Sequence, residues 1–178
     1  DNQGRMVSYI QSIYWEFGSG VVLSETGIHW NNRGVSFSLD DQHPNCLAPG
    51  MKPLHTLNPA YLEHRDGRRW VYGTMGGEGQ PQTQAALIDR MVFKAMNPED
   101  AIAAPRWLLG KSWGESNHDL KLEQSLFDRC GEQLMALGHK TVAVADENEL
   151  MGHAGAIETG PRTLAATDPR SDGLAKAQ

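Results

Sequence analysis

The chain has 178 residues, with 22 acidic and 16 basic side chains and a formal net charge of −6. That length supports one domain with a proper core. The negative balance argues against nucleic acid or an anionic membrane surface as partners, because both repel a net-negative protein. No apolar run approaches the ~20 residues that span a bilayer. Cys46 and Cys130 lie far apart, and the histidines form neither His-Glu-x-x-His nor a Cys-x-x-Cys companion, so no metal and no cofactor is expected. The two cysteines could be free thiols or one bridge, and such sparse usage fits free thiols in a reducing, cytoplasmic compartment.

In chain order, Asp1-Asn2-Gln3-Gly4 reads as a turn that runs straight into strand-like residues. A first strand is therefore expected ahead of Asp1, in a subunit missing its first few residues. Met6–Phe17 is β-rich and partly alternating, and is expected as a strand. Val21–Leu23 and Ile28–Trp30 follow as short strands about the turn Glu25-Thr26-Gly27. Ser38–Pro53 has turn chemistry without a period and is expected as a loop. Leu54–Leu62 should be extended, and Asp66-Gly67 between two strand-like runs signals a hairpin.

The central stretch is Trp70–Pro81. An apolar run, Trp70–Tyr72, meets the glycine turn Gly73-Thr74-Met75-Gly76-Gly77-Glu78-Gly79, and an amphipathic segment, Gln82–Met96, reads as a helix with Ala85, Ala86, Ile88, Met91, Val92 and Ala95 on one face. A strand, tight glycine turn and helix can aim backbone N–H groups at an anion. The acyl-transfer form of such a site is an oxyanion hole. These residues alone favour a plain connecting turn, because glycine-rich turns are common, and neither a Walker motif nor a dinucleotide fingerprint is present.

Beyond it, Asn97-Pro98 starts a short helix that should end at Ala104, before Pro105. Leu120–Glu123 is expected as a strand. Ser125–Leu137 is expected as a helix with Leu126, Phe127, Leu134 and Leu137 inward, stopped by Gly138. Lys140–Ala145, Gly152–Ile157 and Arg162–Ala166 should be strands, and Leu174–Gln178 a tail. Strands, helices, then strands suggest one α+β domain over residues 1–178, layered αββα, not alternating βαβ.

Seven segments occur in a specific order: Phe17-Gly18-Ser19-Gly20-Val21-Val22, Gly27-Ile28-His29-Trp30-Asn31-Asn32, Pro49-Gly50-Met51-Lys52-Pro53-Leu54, Gly73-Thr74-Met75-Gly76-Gly77, Ala103-Ala104-Pro105-Arg106, Leu137-Gly138-His139 and Thr167-Asp168-Pro169-Arg170. Together they resemble the small subunit of the γ-glutamyltransferase family over nearly the whole chain. Trp15–Gly20 with Gly73–Gln80 is most similar to its oxamate amidohydrolase branch.

The resemblance implies a four-layer αββα N-terminal-nucleophile hydrolase, made as one precursor that cuts itself into a large and a small subunit. The large subunit is the implied partner, in a heterodimer or a dimer of heterodimers. A signal peptide would sit on the large subunit, so a periplasmic or secreted location stays open. The nucleophilic Thr is expected a few residues before Asp1. Its α-amino group would be the base for its own hydroxyl. The N–H groups of Gly76 and Gly77 would meet the oxyanion, and Ser12 would support the nucleophile. Arg106 and the Asp168–Arg170 pair read as structural.

The substrate pocket departs from the family pattern. Positions that bind an amino acid's head group in γ-glutamyltransferases correspond to Tyr14, Arg33 and Ser36. The Ser-Ser pair corresponds to His55 and Thr56. A carboxylate that would pair an ammonium has become Ser36, and a neutral amide has become Arg33. This shift suits a small anionic amide lacking an ammonium group, such as oxamate. An ordinary γ-glutamyl hydrolase or transferase, and a non-catalytic family-like subunit, are the competing readings.

Overall fold

A computed structural model describes residues 1–112 and 117–176, so the last two residues of the Leu174–Gln178 tail lie outside the described residues. The chain divides into two units, Asp1–Ile10 with Asn58–Gln178, and Gln11–Leu57. The larger unit holds all the named strands and α-helices: β1 (Ala60–Glu63), β2 (Arg69–Met75), α1 (Gln80–Ile88), α2 (Pro98–Ala103), β3 (Trp107–Leu109), β4 (Leu120–Glu123), α3 (Gln124–Ala136), β5 (Thr141–Val144), β6 (His153–Thr159) and β7 (Thr163–Thr167). The α+β class expected from the sequence is present.

Two sheets form, a four-stranded antiparallel one in the order β1-β2-β6-β7 and a three-stranded one in the order β3-β4-β5. The first hairpin is the one Asp66-Gly67 predicts. Gly67 takes φ 87, and the Asp66 carboxylate accepts from the Arg68 amide at 3.0 Å and from Arg68 Nε at 2.9 Å. Those contacts, the Arg68 amide foremost and His64 next, hold the Asp66 carboxyl well below the usual range.

The period of two decides which side chains form the core. Register places Leu62 beside Trp70, Tyr72 beside Ala156, and Ala156 beside Ala166, all on one face. Leu87, Met91, Ala101 and Ile102 pack onto that face from the helical layer. Small alanines on β6 and β7 leave room for it, while Trp70 fills the centre at 0% exposure. Burying each large apolar side chain contributes about 1.5–3 kcal/mol.

The single helix expected over Gln82–Met96 is two pieces. Helix α1 ends at Ile88 and continues as a π turn, Asp89–Phe93. Leu87 takes the core position, while Ala85 and Ala95 are exposed. The π turn aims Arg90 at the open carbonyls ending α2: Nη1 donates to Ala101 at 2.9 Å and to Ala104 at 3.1 Å, and Nη2 donates to Pro105. Asn97 caps α2 as expected, its side chain accepting from the Asp100 amide at 2.8 Å.

Helix α3 stops at a left-handed Gly138, φ 94, but Leu137 is 78% exposed and does not point inward. Strand β3 is too short for a readable period and went unread.

The strand expected over Met6–Phe17 is absent. Residues 4–10 run irregularly beside β2, with Ser8 Oγ donating to the Tyr72 carbonyl at 3.2 Å. Tyr14 and Phe17 have φ of 78 and 60, outside the strand region. In the smaller unit, the two short strands reduce to one antiparallel bridge, Val22 to His29, flanked by the Trp30 amide donating to Val21 at 2.8 Å. The loop expected over Ser38–Pro53 carries one further bridge, Ser38 to Cys46.

A four-charge cluster ties the larger unit together. Arg106 Nη2 meets Asp168 Oδ2 at 2.6 Å, Arg170 Nη1 meets Asp168 Oδ1 at 3.0 Å, and Arg170 Nη2 meets Glu123 Oε2 at 2.5 Å. All four side chains are at most 1% exposed. Spare donors go to backbone: Arg106 Nη2 and Arg170 Nη1 reach the Ile102 carbonyl. Asp168 Oδ2 accepts from the Ala154 amide at 2.6 Å, and Glu123 Oε1 from the Asn148 amide at 3.0 Å.

Burial alone would raise the Asp168 carboxyl, but Arg106 and the amides of Ala154 and Arg170 outweigh it and hold it below its ordinary value. Burial pulls Arg106 down to about 10 against the pull of Asp168, leaving it charged at neutral pH. Removing one member strands a buried charge. Asp168→Asn should therefore cost about 3–5 kcal/mol, measured as a lowered denaturant midpoint in the full protein. Because the folded carboxyl is depressed, its contribution is present above the unfolded value near ~4 and fades as pH falls through the folded value. The variant should lose that part of the acid sensitivity, and an unchanged midpoint would refute the role.

Candidate active site

At the end of β2 the chain turns through Gly76, φ 141, and Gly77, φ 51, both in the left-handed half of backbone space that favours glycine. One 3₁₀ turn, Gly77–Gly79, closes with the Gly79 amide donating to the Gly76 carbonyl at 2.9 Å, and α1 follows directly with Pro81 in its first turn. The order is the strand, glycine turn and helix inferred from the residues, but Gly73, Thr74 and Met75, expected in the turn, extend β2 instead.

Gly152, which sequence reasoning passed over, buttresses the turn. Its φ is 76, and a Cβ there would sit 2.3 Å from the Met75 carbonyl oxygen and 2.9 Å from Thr74 Oγ1. A Cβ on Gly76 would lie 3.1 Å from Gly152 Cα. The two backbones touch, and the contact is fixed from behind. The Met151 carbonyl accepts from Thr83 Oγ1 at 3.1 Å and from Arg106 Nη1 at 3.2 Å, and the Gly152 carbonyl accepts from Arg106 Nη1 at 3.0 Å. A single glycine ahead of a strand carries no signal of this in sequence.

Within residues 11–57, Ser12, Tyr14 and Arg33 come together. The Ser12 hydroxyl oxygen accepts from the Tyr14 amide at 2.9 Å and supports the left-handed Tyr14. The Arg33 guanidinium carbon lies 4.7 Å from the centre of the Tyr14 ring, an attraction between cation and ring face. Asn31 Oδ1 accepts from the Arg33 amide at 2.9 Å, and Asn32 Oδ1 from the Trp15 amide at 3.1 Å, so the Asn-Asn pair braces both segments of the cluster.

Arg33 is 8% exposed, and among the described residues it forms no ion pair with a carboxylate. Burial lowers its guanidinium from the ordinary value, with Tyr14 acting in the opposite sense. Ser36 closes the same 3₁₀ turn, Arg33–Ser36, and its carbonyl accepts from Asn45 Nδ2 at 2.6 Å. His55 is exposed, with Nδ1 accepting from the Leu57 amide at 3.2 Å, and Thr56 is half-buried. The structure thus groups Ser12, Tyr14 and Arg33, with Ser36 in the same 3₁₀ turn as Arg33, and places His55 and Thr56 in a separate irregular stretch of the same unit.

The Gamma-glutamyltranspeptidase family profile matches residues 1–178. The chain belongs to the gamma-glutamyltranspeptidase family. Among curated relatives it is 56% identical over 98% of its length to the oxamate amidohydrolase proenzyme of Klebsiella pneumoniae subsp. pneumoniae, of which it covers 34%. It is 45% identical, over 98% of its length and 34% of the relative, to the glutathione hydrolase-like YwrD proenzyme of Bacillus subtilis. The chain therefore spans about a third of these relatives.

Two solved structures show the same fold. Gamma-glutamyltranspeptidase from Pseudomonas nitroreducens complexed with L-DON superposes with a TM-score of 0.81 at 22% identity, covering 100% of this chain and 96% of that one. Cephalosporin acylase from Bacillus halodurans gives 0.74 at 34% identity, covering 93% and 30%.

Gly152→Ala should displace the Gly76 turn, because its Cβ meets backbone and not a yielding side chain. The left-handed strain alone costs about 1–3 kcal/mol. A fall in melting temperature of the full protein, with a matching loss of activity, is expected. Full retention of both would show that the two backbones do not depend on each other.

Proposed function

We propose that the chain is the small-subunit part of an N-terminal-nucleophile amidohydrolase acting on a small anionic amide, oxamate in the first instance. The observation that carries this reading is Arg33: a buried guanidinium, stacked on Tyr14, that no carboxylate of the described residues neutralises. A cation so placed suits an anionic ligand and disfavours an ammonium-bearing one. The high identity to a protein named oxamate amidohydrolase supports it.

In this reading a Thr ahead of Asp1 supplies the nucleophile. Its hydroxyl attacks the amide carbonyl while its α-amino group takes the proton. The oxyanion is met by the N–H groups of Gly76 and Gly77. Ammonia leaves with that proton, and water then frees the dicarboxylate. Ser12 supports the nucleophile, and Tyr14, Arg33, Ser36, His55 and Thr56 line the substrate subsite. The large subunit from the same precursor completes the enzyme, as a heterodimer or a dimer of heterodimers in the cytoplasm.

The rival reading, a γ-glutamyl hydrolase, draws on the name of the Bacillus relative. The two separate on one residue. Arg33→Gln in the full protein should lower kcat/KM for oxamate at least roughly tenfold, the cost of losing a charge-assisted hydrogen bond, while self-cleavage into two subunits persists on a denaturing gel. The wild type should turn over a γ-glutamyl anilide poorly. Unchanged oxamate kinetics in the variant, or brisk anilide turnover by the wild type, would defeat the proposal.

A further inference from the structure

Tyr14 has φ 78, in the left-handed region, where a bulky side chain is an outlier. Three consecutive backbone groups hold it there. The Ile13 carbonyl accepts from the Asn32 amide at 3.2 Å, the Tyr14 amide donates to Ser12 Oγ at 2.9 Å, and the Trp15 amide donates to Asn32 Oδ1 at 3.1 Å. Such strain persists only where its surroundings over-determine it, and it concentrates at working sites. Glycine or asparagine would take this turn at less cost. The chain instead places an aromatic ring there.

The Arg33 guanidinium carbon lies 4.7 Å from the centre of that ring. Trp15 stacks on the same ring, with centroids 5.9 Å apart and planes inclined by 24°. The Tyr14 ring covers one face of the guanidinium and leaves its in-plane N–H edge. Arg33 is 8% exposed, yet among the described residues its guanidinium donates no hydrogen bond. Its nitrogens are also not among the polar atoms sealed from solvent without a partner. They therefore keep accessible surface that a ligand oxygen can reach.

We infer that Tyr14 is a specificity-determining positioning residue, whose ring fixes the plane of the Arg33 guanidinium so that two parallel N–H groups meet the carboxylate of a small anionic amide. The inference rests on the amidohydrolase reading above and deepens it. A long arginine side chain rotates freely unless it is held, and its fork makes two bonds to a carboxylate only when the two planes align. Stacking supplies that alignment before the ligand arrives, which lowers the ordering cost of binding. The consequence is a preference for an amide that carries a carboxylate over a neutral amide of the same size.

The test compares oxamate with oxamide, in which a second amide replaces the carboxylate, in the full protein. Wild type should prefer oxamate. Tyr14→Leu should lower kcat/KM for oxamate about tenfold and change that for oxamide little, so the preference shrinks. Tyr14→Phe keeps the ring and should recover the greater part of the loss. Tyr14→Gly takes the left-handed turn freely but has no ring, and should lose as much as Tyr14→Leu. Were Tyr14 needed only to hold the backbone, glycine would recover what leucine loses. That recovery, equal losses on both substrates, or a wild type without preference overturns the assignment.

Should Tyr14→Leu fail to fold, Tyr14→Gly against Tyr14→Phe carries the comparison. Should wild type hydrolyse no oxamate, the amidohydrolase reading itself falls. Calorimetric titration of oxalate into wild type and Tyr14→Leu then decides Tyr14: weaker binding by the variant supports it, and equal binding or none overturns it.

Discussion

Two carboxylates and two guanidiniums with no access to water organise this protein. Each charge alone would be prohibitive to bury, and together Arg106, Asp168, Arg170 and Glu123 sum to zero and pair with one another. Their remaining hydrogen bonds go to backbone at the end of α2, the start of β3, the turn before β6 and the first residues of β6. Apolar packing of Trp70 against Leu87, Met91 and Ile102 supplies bulk stabilisation but little direction. The charged cluster is directional, and it makes the segment ending in Gly152 arrive where it supports the glycine turn.

Much of this was readable from residue order, for physical reasons that differ by element. Asp66-Gly67 and Asn97-Pro98 are local devices whose chemistry lies within a few residues, so hairpin and cap appear as read. Strands β4, β5, β6 and β7 fell near their expected positions because apolar runs bounded by turns are a local signal. Met6–Phe17 misled because β-rich composition says nothing of whether a neighbouring strand is present to pair with it, and left-handed Tyr14 and Phe17 break any ladder. Gly152 and Glu123 went unread for the opposite reason: their importance comes from partners about 25 to 75 positions away in the chain.

The candidate site divides along the same line. Gly76 and Gly77 stand out by spacing, and the structure gives them the backbone geometry that only such residues take easily. Arg33 stands out as a charge just after Asn31-Asn32, and the structure buries it against Tyr14.

The π turn at Asp89–Phe93 makes the spacing between α1 and α2 part of the architecture. Such a turn is an α-helix carrying one surplus residue. Taking that residue out would restore regular winding but rotate everything beyond it by about 100°. Arg90 would swing off the carbonyls of Ala101, Ala104 and Pro105, and α2 would lose the cation that closes its end. The length of this segment is therefore a constraint of its own, and a one-residue deletion would have to be answered by a new cap for its neighbour.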